Sequence, residues 1–363
     1  MDAPAAAQTT ALAREIAALV AAEGPIPVSR YMALCLGHPT LGYYMTRDPL
    51  GLEGDFVTAP EISQMFGELL GLWAAQTWID LGRPSPLRLV ELGPGRGTLM
   101  ADALRAAAVV PGFLDALDLH LVETSPVLRA KQAASLAASP RPPTWHGNVT
   151  GVPEGPAIAI ANEFFDALPV RQLVRHGGRW HERVVGLDGA GALAFGLAPD
   201  PEPGLDDPAP EGAVIEIQAS GVPVMRALAE RIVREGGAAL AIDYGHATSG
   251  YADTLQAVRR HAFADPLAEP GEADVTAHVD FAQLARAARE AGARVFGPVT
   301  QGAFLAGLGL EARARRLAAA TPERAPEIAA AANRLAGTGE GGMGELFKAM
   351  AVTQAGLDSC AGF

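Results

Sequence analysis

The sequence predicts an α/β fold with a doubly wound, mainly parallel sheet. From Leu87 onward, short apolar runs alternate with segments of helical periodicity, which is the pattern of strands joined by crossover helices. The runs "AIAIA" (157–161) and "AALAID" (238–243) are continuously apolar, as expected for strands covered on both faces. A glycine-rich turn between the first strand and its helix completes the pattern.

The segment before this sheet, residues 1–83, is predicted to form an N-terminal helical cap. Residues 10–22 place four apolar side chains on one helical face. Residues 36–60 are rich in Gly, Pro and aromatic residues and are expected to form a long, ordered loop. A second helix is expected from Pro60, a residue favoured in the first turn, to Gly82, which would lie past its end.

The second part, residues 84–363, is predicted to hold the sheet and its helices. The expected strands cover residues 87–92, 117–123, 144–146, 157–163, 238–245, 293–299 and 346–354. The expected helices cover residues 98–110, 126–138, 222–235, 281–291 and 303–336. Length alone allows one large domain or about two ordinary ones.

Two segments interrupt the alternation. In the predicted insertion 169–219, Gly177-Gly178 separates two alternating runs, which indicates a β-hairpin. The stretch "APDPEPGLDDPAP" (198–210) is too rich in Pro and Asp to pack and is expected to be a flexible tip. Residues 246–280 are expected to form a second long loop.

Composition excludes several classes of function. Only two of the 28 basic residues are lysine, Lys131 and Lys348, and neither ends a phosphate-binding glycine loop. A net charge of −13 argues against nucleic acid as a partner. Two cysteines, Cys35 and Cys360, are too few for a disulfide framework or a four-thiolate zinc site, so no metal centre is predicted. No apolar run is long enough for membrane insertion, and the acidic N-terminus is unlike a leader, so a cytoplasmic protein is expected.

The glycine turn "ELGPGRGTLM" (91–100) points to the ligand. Its register is Gly-x-Gly-x-Gly, with Thr98 where a dinucleotide site has its last glycine. Glu91 ends the preceding strand, and a carboxylate beside the turn suits a cation better than a pyrophosphate. S-adenosylmethionine, which carries an ammonium and a sulfonium, fits this site, and a nicotinamide cofactor is disfavoured. Glu123, at the end of the next strand, can grip two ribose hydroxyls.

The segment "NEFFDALP" (162–169) follows the strand whose carboxyl end would face the transferred group. Glu163 and Asp166 supply two carboxylates beside Phe164 and Phe165, which together can hold a guanidinium by ion pairing and stacking. Alternatively, Asp166 caps the following turn and Phe165 belongs to the core.

Taken together, the motifs resemble the MidA-like class I S-adenosylmethionine-dependent methyltransferases. The similarity runs through "GYY", "GDFVTAPEISQMFGELLGLW", "ELGPGRGTLM", "NEFFDALPV", "IDYG", "TLQAVRRH", "DVTAHVDF" and "MGELFK". It implies a class I methyltransferase Rossmann-like core with an N-terminal cap and an inserted hairpin. The family's mitochondrial members are assembly factors of respiratory complex I that symmetrically dimethylate an arginine of a core subunit.

The resemblance also implies that the segment 54–63 covers the cofactor and that Asn148 lies near its adenine. It implies roles for further residues. Cofactor contacts are expected from Glu91, Gly93, Gly95, Gly97, Glu123, Asn148, Asn162, Asp55, Thr58 and Glu61. The substrate side is expected to include the loop 246–280 and the residues Phe164, Asp243, Tyr244, Thr276, His278 and Asp280. The alternative for the last five is that they only shape their loops by hydrogen bonds.

The hypothesis is methyl transfer to an arginine guanidinium of a protein substrate, with Glu163 and Asp166 as the catalytic pair. The alternative is a chaperone-like assembly factor that binds the cofactor but performs little chemistry. A homodimer is one expected assembly.

Overall fold

A computed structural model of the protein describes residues 10–48 and 58–363. The chain forms two compact units, each built from segments that are distant in sequence. The first unit comprises Met1–Phe56, Asp166–Val222 and Thr248–Asp280, and the second comprises Val57–Phe165, Pro223–Ala247 and Phe281–Phe363. The division at residue 83 stays a prediction about how the chain is organised.

The helices of the described residues follow in chain order. They are α1 (Ala11–Glu23), α2 (Val28–Gly37), α3 (Tyr43–Thr46), α4 (Ala59–Ile62), α5 (Gln64–Asp80), α6 (Thr98–Ala107), α7 (Phe113–Ala116), α8 (Pro126–Ser135), α9 (Gly221–Glu235), α10 (Phe281–Glu290), α11 (Gln301–Gly307), α12 (Leu310–Ala320) and α13 (Ala325–Ala336). Short 3₁₀ turns cover Val149–Gly151 and Pro322–Arg324. In this part of the chain, no helix combines the length and apolar character needed to cross a bilayer.

The strands are likewise numbered in chain order. They are β1 (Ile26–Pro27), β2 (Leu87–Leu92), β3 (Leu117–Val122), β4 (Thr144–His146), β5 (Ala157–Asn162), β6 (Arg171–His176), β7 (Arg179–Leu187), β8 (Leu193–Pro201), β9 (Val214–Ile217), β10 (Gly237–His246), β11 (Gln256–Arg259), β12 (Ala262–Ala264), β13 (Asp274–Thr276), β14 (Val279–Asp280), β15 (Arg294–Thr300) and β16 (Phe347–Thr353).

The second unit is built on the predicted doubly wound sheet. Seven of its strands are hydrogen-bonded in the order β15-β16-β10-β5-β2-β3-β4. The five strands from β10 to β4 pair in parallel, whereas β16 runs antiparallel to both of its neighbours. Every residue of β5 is buried, which agrees with its continuously apolar sequence. The parallel strands end at one edge, which brings together Glu91 on β2, Asn162 on β5 and Glu123 just after β3.

Two glycines on α5 let α6 cross it closely. A Cβ atom at Gly71 would lie 2.3 Å from the Ala103 carbonyl oxygen, and one at Gly67 would lie 2.8 Å from Asp102 Cβ. Both separations are shorter than van der Waals contact, so these positions accept only glycine in this packing. The close crossing supports the first turn of α6, which follows the glycine-rich turn.

The first unit contains the predicted hairpin in an antiparallel sheet. Strands β6 and β7 pair across the Gly177-Gly178 turn. The sheet order is β1-β7-β6-β9, and β8 also pairs with β7, along the edge of β7 that faces away from β1 and β6. The prediction of a flexible tip at 198–210 is wrong for its first residues, because β8 continues to Pro201. Pro201 can end this strand because it pairs with His181 beyond the bulge at His181/Arg183.

Two other expectations need correction. The loop predicted at 246–280 contains a three-stranded sheet in the order β12-β11-β13, because the short alternating run of β11 finds a partner on each side. The helical stretch predicted at about 303–336 is helical but interrupted twice, so it forms three helices, α11 to α13. Gly309, with φ of +88°, starts α12 from a left-handed conformation, and Pro322 lies in the 3₁₀ turn between α12 and α13.

Candidate active site

The glycine turn has a backbone that side chains would not permit. Gly93, Gly95 and Gly97 have φ values of +62°, +55° and +81°. A Cβ atom on Gly93 would lie 3.0 Å from Cδ2 of Phe164. Gly97 is the N-cap of α6, so the turn presents bare backbone and the positive end of a helix dipole.

Glu91 is an almost fully buried carboxylate beside this turn. It is 2 % exposed, and its Oε2 atom has no hydrogen-bond partner within the described residues. Burial without a compensating partner raises the pKa of the Glu91 carboxyl from 4.5 to about 8. A buried carboxyl in this state is suited to receive a cationic group, because an ammonium would restore its ionised form.

Glu123 follows β3 and is held by a small set of donors. Its Oε1 atom accepts a hydrogen bond from the Ser125 backbone N–H at 2.8 Å, and its Oε2 atom accepts one from Nε2 of Gln132 at 3.1 Å. Burial raises the pKa of this carboxyl, and the hydrogen bonds partly offset the rise. The carboxylate is therefore fixed in position at the sheet edge next to Glu91.

Glu163 stands at the carboxyl end of β5 in a strained backbone conformation. Its φ is +49°, in the left-handed region that costs a non-glycine residue about 1 kcal/mol or more. Its Oε1 atom accepts hydrogen bonds from the Ala59 backbone N–H at 3.0 Å and from Nδ2 of Asn162 at 3.2 Å. Asn162 is buried, and its Oδ1 atom has no partner in the part of the chain that the structure describes.

Asp243 explains how the strained turn is maintained. Its Oδ2 atom accepts hydrogen bonds from the backbone N–H groups of Phe164 and Phe165, at 3.1 and 2.9 Å. Its Oδ1 atom accepts one from the Tyr244 N–H at 2.9 Å, and the side chain is fully buried. These bonds direct the Asp243 carboxylate to the backbone, so it shapes the turn, and its expected place on the substrate side stays a prediction. The ring of Tyr244 packs edge-on against Phe347.

The covering segment reaches this site at residues 58–62. Thr58 precedes α4, and its carbonyl oxygen accepts a hydrogen bond from the Glu61 N–H at 2.9 Å. The Glu61 carboxylate accepts a hydrogen bond from Oγ1 of Thr98 at 2.5 Å and lies 3.6 Å from the Arg96 guanidinium. Glu61 thus joins α4 to the glycine turn. Asp55, expected in the same segment, lies outside the described residues.

Asn148, expected near adenine, is exposed after β4. Its Oδ1 atom accepts hydrogen bonds from the Gly151 N–H at 3.0 Å and the Thr150 hydroxyl at 2.7 Å, which caps the following 3₁₀ turn. Phe165 is fully buried, as the core alternative required, whereas Phe164 is half-buried and contacts it edge-on at 5.3 Å.

The remaining expected residues belong to the first unit. The Asp166 carboxylate accepts a hydrogen bond from the Ala167 N–H at 2.8 Å, as a turn cap would. His278 donates its backbone N–H to Oγ1 of Thr254 at 2.8 Å, and its carbonyl oxygen accepts from the Gln218 amide at 3.1 Å. Thr276 and Asp280 are buried.

Sequence reasoning missed two contributors to the site, Gln132 and the Ala59 backbone N–H. Gln132 is fully buried on α8, one turn after Leu128. A single glutamine in an amphipathic helix carries no motif, and a backbone donor has no side-chain signature. Only a buried polar position on the apolar face could have drawn attention to Gln132.

Comparisons with known proteins agree with this geometry. A family model described as "Putative S-adenosyl-L-methionine-dependent methyltransferase" matches residues 69–299. The protein arginine methyltransferase NDUFAF7 homolog, mitochondrial, of Drosophila melanogaster is 39 % identical, over 94 % of this chain and 84 % of its own length. Protein arginine methyltransferase NDUFAF7, mitochondrial, of Homo sapiens is 38 % identical, over 86 % of this chain and 77 % of its own length.

A crystal structure from Burkholderia thailandensis that contains S-adenosyl-homocysteine has a TM-score of 0.85 and 32 % identity. The match covers 100 % of this chain and 96 % of that one. It confirms the expected class I methyltransferase fold. The expectation of a cytoplasmic protein is wrong by comparison with the curated relatives, because these are named as mitochondrial proteins.

Proposed function

We propose that this chain, which belongs to the family of S-adenosylmethionine-dependent methyltransferases, methylates a guanidinium nitrogen of a protein arginine. The observation that carries the proposal is the Glu163 corner, a carboxylate held in strained backbone at the end of β5. The relatives named as protein arginine methyltransferases support the same acceptor.

The cofactor fits the residues at the sheet edge. Glu91 and Asn162 each keep a buried oxygen atom without a partner in the described structure, and the glycine turn presents backbone without side chains at positive φ. Glu91 would bind the ammonium of the methionine moiety, and Glu123 would bind the ribose hydroxyls. When bound, S-adenosylmethionine supplies a methyl group on a positively charged sulfur. Thr58, Asp55 and Asn148 remain proposed cofactor contacts.

Glu163 would pair with the substrate guanidinium. Arginine is a poor nucleophile because its charge is delocalised over three nitrogens and its pKa is above about 12. A carboxylate on one side of the group draws the charge toward it and leaves more electron density on the opposite nitrogen. Phe164, which is half-buried beside Gly93, supplies an apolar surface on which the planar group can stack.

The transfer needs one proton acceptor. The new N–CH₃ bond forms as the S–CH₃ bond breaks, and the methylated nitrogen then loses a proton. The Glu163 carboxylate would receive this proton, directly or through water. Asp166 stays the proposed second member of the catalytic pair, and Tyr244 and His278 are proposed to contribute on the substrate side. Asp243 acts by fixing the backbone that carries Glu163.

At a finer level, we propose that the substrate is a subunit of respiratory complex I and that methylation serves its assembly, as the resemblance to the MidA-like family implies. A homodimer and the absence of a nucleic-acid partner are part of the same proposal. The net charge of −13 is compatible with a basic protein segment as substrate.

The test compares Glu163→Gln with wild type. Glutamine keeps an oxygen that can accept from the Ala59 N–H, so the turn should survive. We expect unchanged S-adenosyl-homocysteine affinity by calorimetry. In cells that lack the gene, wild type should restore the missing methylarginine signal in mass spectrometry, and the variant should leave it at less than about 1 % of the wild-type level. Glu311→Gln, whose side chain is 84 % exposed in the same unit, is the matched control.

Each result has a distinct meaning. Loss of both cofactor affinity and methylation would assign Glu163 to folding or cofactor binding. Full methylation by the variant would remove Glu163 from the chemistry. No methylarginine difference between cells with and without wild type, together with normal cofactor binding, would support the chaperone-like assembly factor.

A further inference from the structure

Gln132 is a buried side-chain amide between the cofactor-binding elements of the second unit. It is 0 % exposed and lies on the inner face of α8. A buried amide costs about 1–3 kcal/mol unless its polar atoms find partners. The partners of Gln132 therefore show what holds this residue in place.

Every polar atom of the Gln132 side chain is hydrogen-bonded. The Nε2 atom donates to the carbonyl oxygen of Gly95 at 2.8 Å and to Oε2 of Glu123 at 3.1 Å. The Oε1 atom accepts from Nε1 of Trp145 at 2.8 Å. Only a side-chain amide can make all three bonds, because its nitrogen must donate to two acceptors, Gly95 and Glu123, while its oxygen accepts from Trp145.

The backbone of the glycine turn is fitted to the same residue. Gly97 has φ of +81°, and a Cβ atom on it would lie 3.3 Å from Cα and 3.6 Å from Cγ of Gln132. The third glycine of the turn is therefore needed partly because α8 approaches so closely at this point. Gln132 thus contacts the turn both through its amide and through its packing.

We propose that Gln132 is a positioning residue for the cofactor, which locks the glycine turn and the Glu123 carboxylate into their binding geometry before the cofactor arrives. Trp145 fixes the orientation of the amide, so that both N–H groups point at their acceptors. Pre-organisation of this kind raises affinity because fewer groups must be ordered on binding. The role rests on the cofactor of the family and is independent of which protein is methylated.

A double-mutant cycle tests the proposal. S-adenosyl-homocysteine affinity is measured by calorimetry for wild type, Gln132→Met, Glu123→Gln and the double variant. We expect Gln132→Met alone to weaken binding about 10-fold or more, and to weaken it only about 2-fold when Glu123 is already changed. Equal factors in the two backgrounds, or unchanged affinity, would overturn the proposal, since a general loss of packing acts independently of Glu123.

The pH dependence of binding gives a second readout. The Gln132 hydrogen bond lowers the Glu123 pKa against the effect of burial, as do the N–H groups of Thr124 and Ser125 and the nearby Arg129 guanidinium. Binding of S-adenosyl-homocysteine should weaken at low pH as Glu123 becomes protonated, and we call this part of the affinity–pH curve its acidic limb. In Gln132→Met the acidic limb should move to higher pH. An unshifted limb would contradict the assigned contact.

Trp145→Phe keeps the proposal testable if Gln132→Met does not fold. This variant removes only the donor that orients the amide, and we expect binding to weaken by about 3-fold with a smaller shift of the same limb. Wild-type affinity and an unmoved limb in a folded Trp145→Phe protein would refute the proposal. Absence of methyl transfer in cells would leave these binding results unaffected, so the two proposals fail separately.

Discussion

Replacement of Glu91 by glutamine should change the pH dependence of stability in the cofactor-free protein. Burial raises the Glu91 pKa from 4.5 to about 8, so the folded protein holds a proton that the unfolded chain releases above pH 4.5. The stability that this bound proton gives the folded protein is therefore lost progressively as the pH rises from 4.5 to 8. The difference between the two pKa values corresponds to about 5 kcal/mol as an upper value.

The measurement is urea unfolding of wild type and Glu91→Gln at several pH values between 5 and 8.5. We expect the variant to gain stability relative to wild type with each step upward and the gain to level off above about pH 8. Glu311→Gln, at an exposed position, should show no such trend. A difference that stays constant with pH would refute the assignment of a protonated Glu91.

Cofactor binding should reveal the same proton. An ammonium placed beside Glu91 favours the carboxylate, so wild type should release about one proton on binding S-adenosyl-homocysteine at pH 7. Calorimetry in buffers with different ionisation enthalpies measures this release. Glu91→Gln should bind about 10- to 100-fold more weakly and release no proton from this site. Equal release by both proteins would place the ammonium elsewhere.

Two further changes test the support of the site. Asp243→Asn puts an amide where a carboxylate accepts hydrogen bonds from three backbone N–H groups. We expect the free energy of unfolding in urea to fall by about 2–3 kcal/mol and methylation to be lost. The control Asp358→Asn, at an exposed position, should change neither. Arg313→Ala removes one of two guanidinium partners of the buried Glu68 and should cost about 2 kcal/mol at pH 7. Because ion pairing lowers the Glu68 pKa, this cost should shrink in unfolding curves recorded below about pH 4.5, and a pH-independent cost would contradict the pairing.

Local sequence patterns were enough to predict the sheet and the cofactor. The alternation of apolar strands with helices depends on neighbouring residues, and β2 and β4 begin and end where the sequence predicted. The spacing of Gly93, Gly95 and Gly97 behind Glu91 reflects a local backbone requirement, which is why the ligand class could be inferred. Relatives of the same family confirm both predictions.

Predictions failed where pairing between distant segments decides the structure. The strands β11 to β13 are short and weakly patterned, and they are stabilised by pairing with one another, β11 with β12 in a tight hairpin and β11 with β13 across the intervening loop. The role of Asp243 also depends on a distant segment, since its acceptor atoms meet backbone N–H groups 78 and 79 residues away.

The sequence by itself determined the sheet, the bare glycine turn and the acidic strand ends, because each depends on the chemistry of adjacent residues. Tertiary structure alone decided the state of those acids. Burial raises the pKa of Glu91, Asp243 fixes the backbone after Glu163, and Gln132 joins Glu123 to the turn. Solvent exclusion and hydrogen bonds between distant segments set these properties, and neither is encoded in a local pattern.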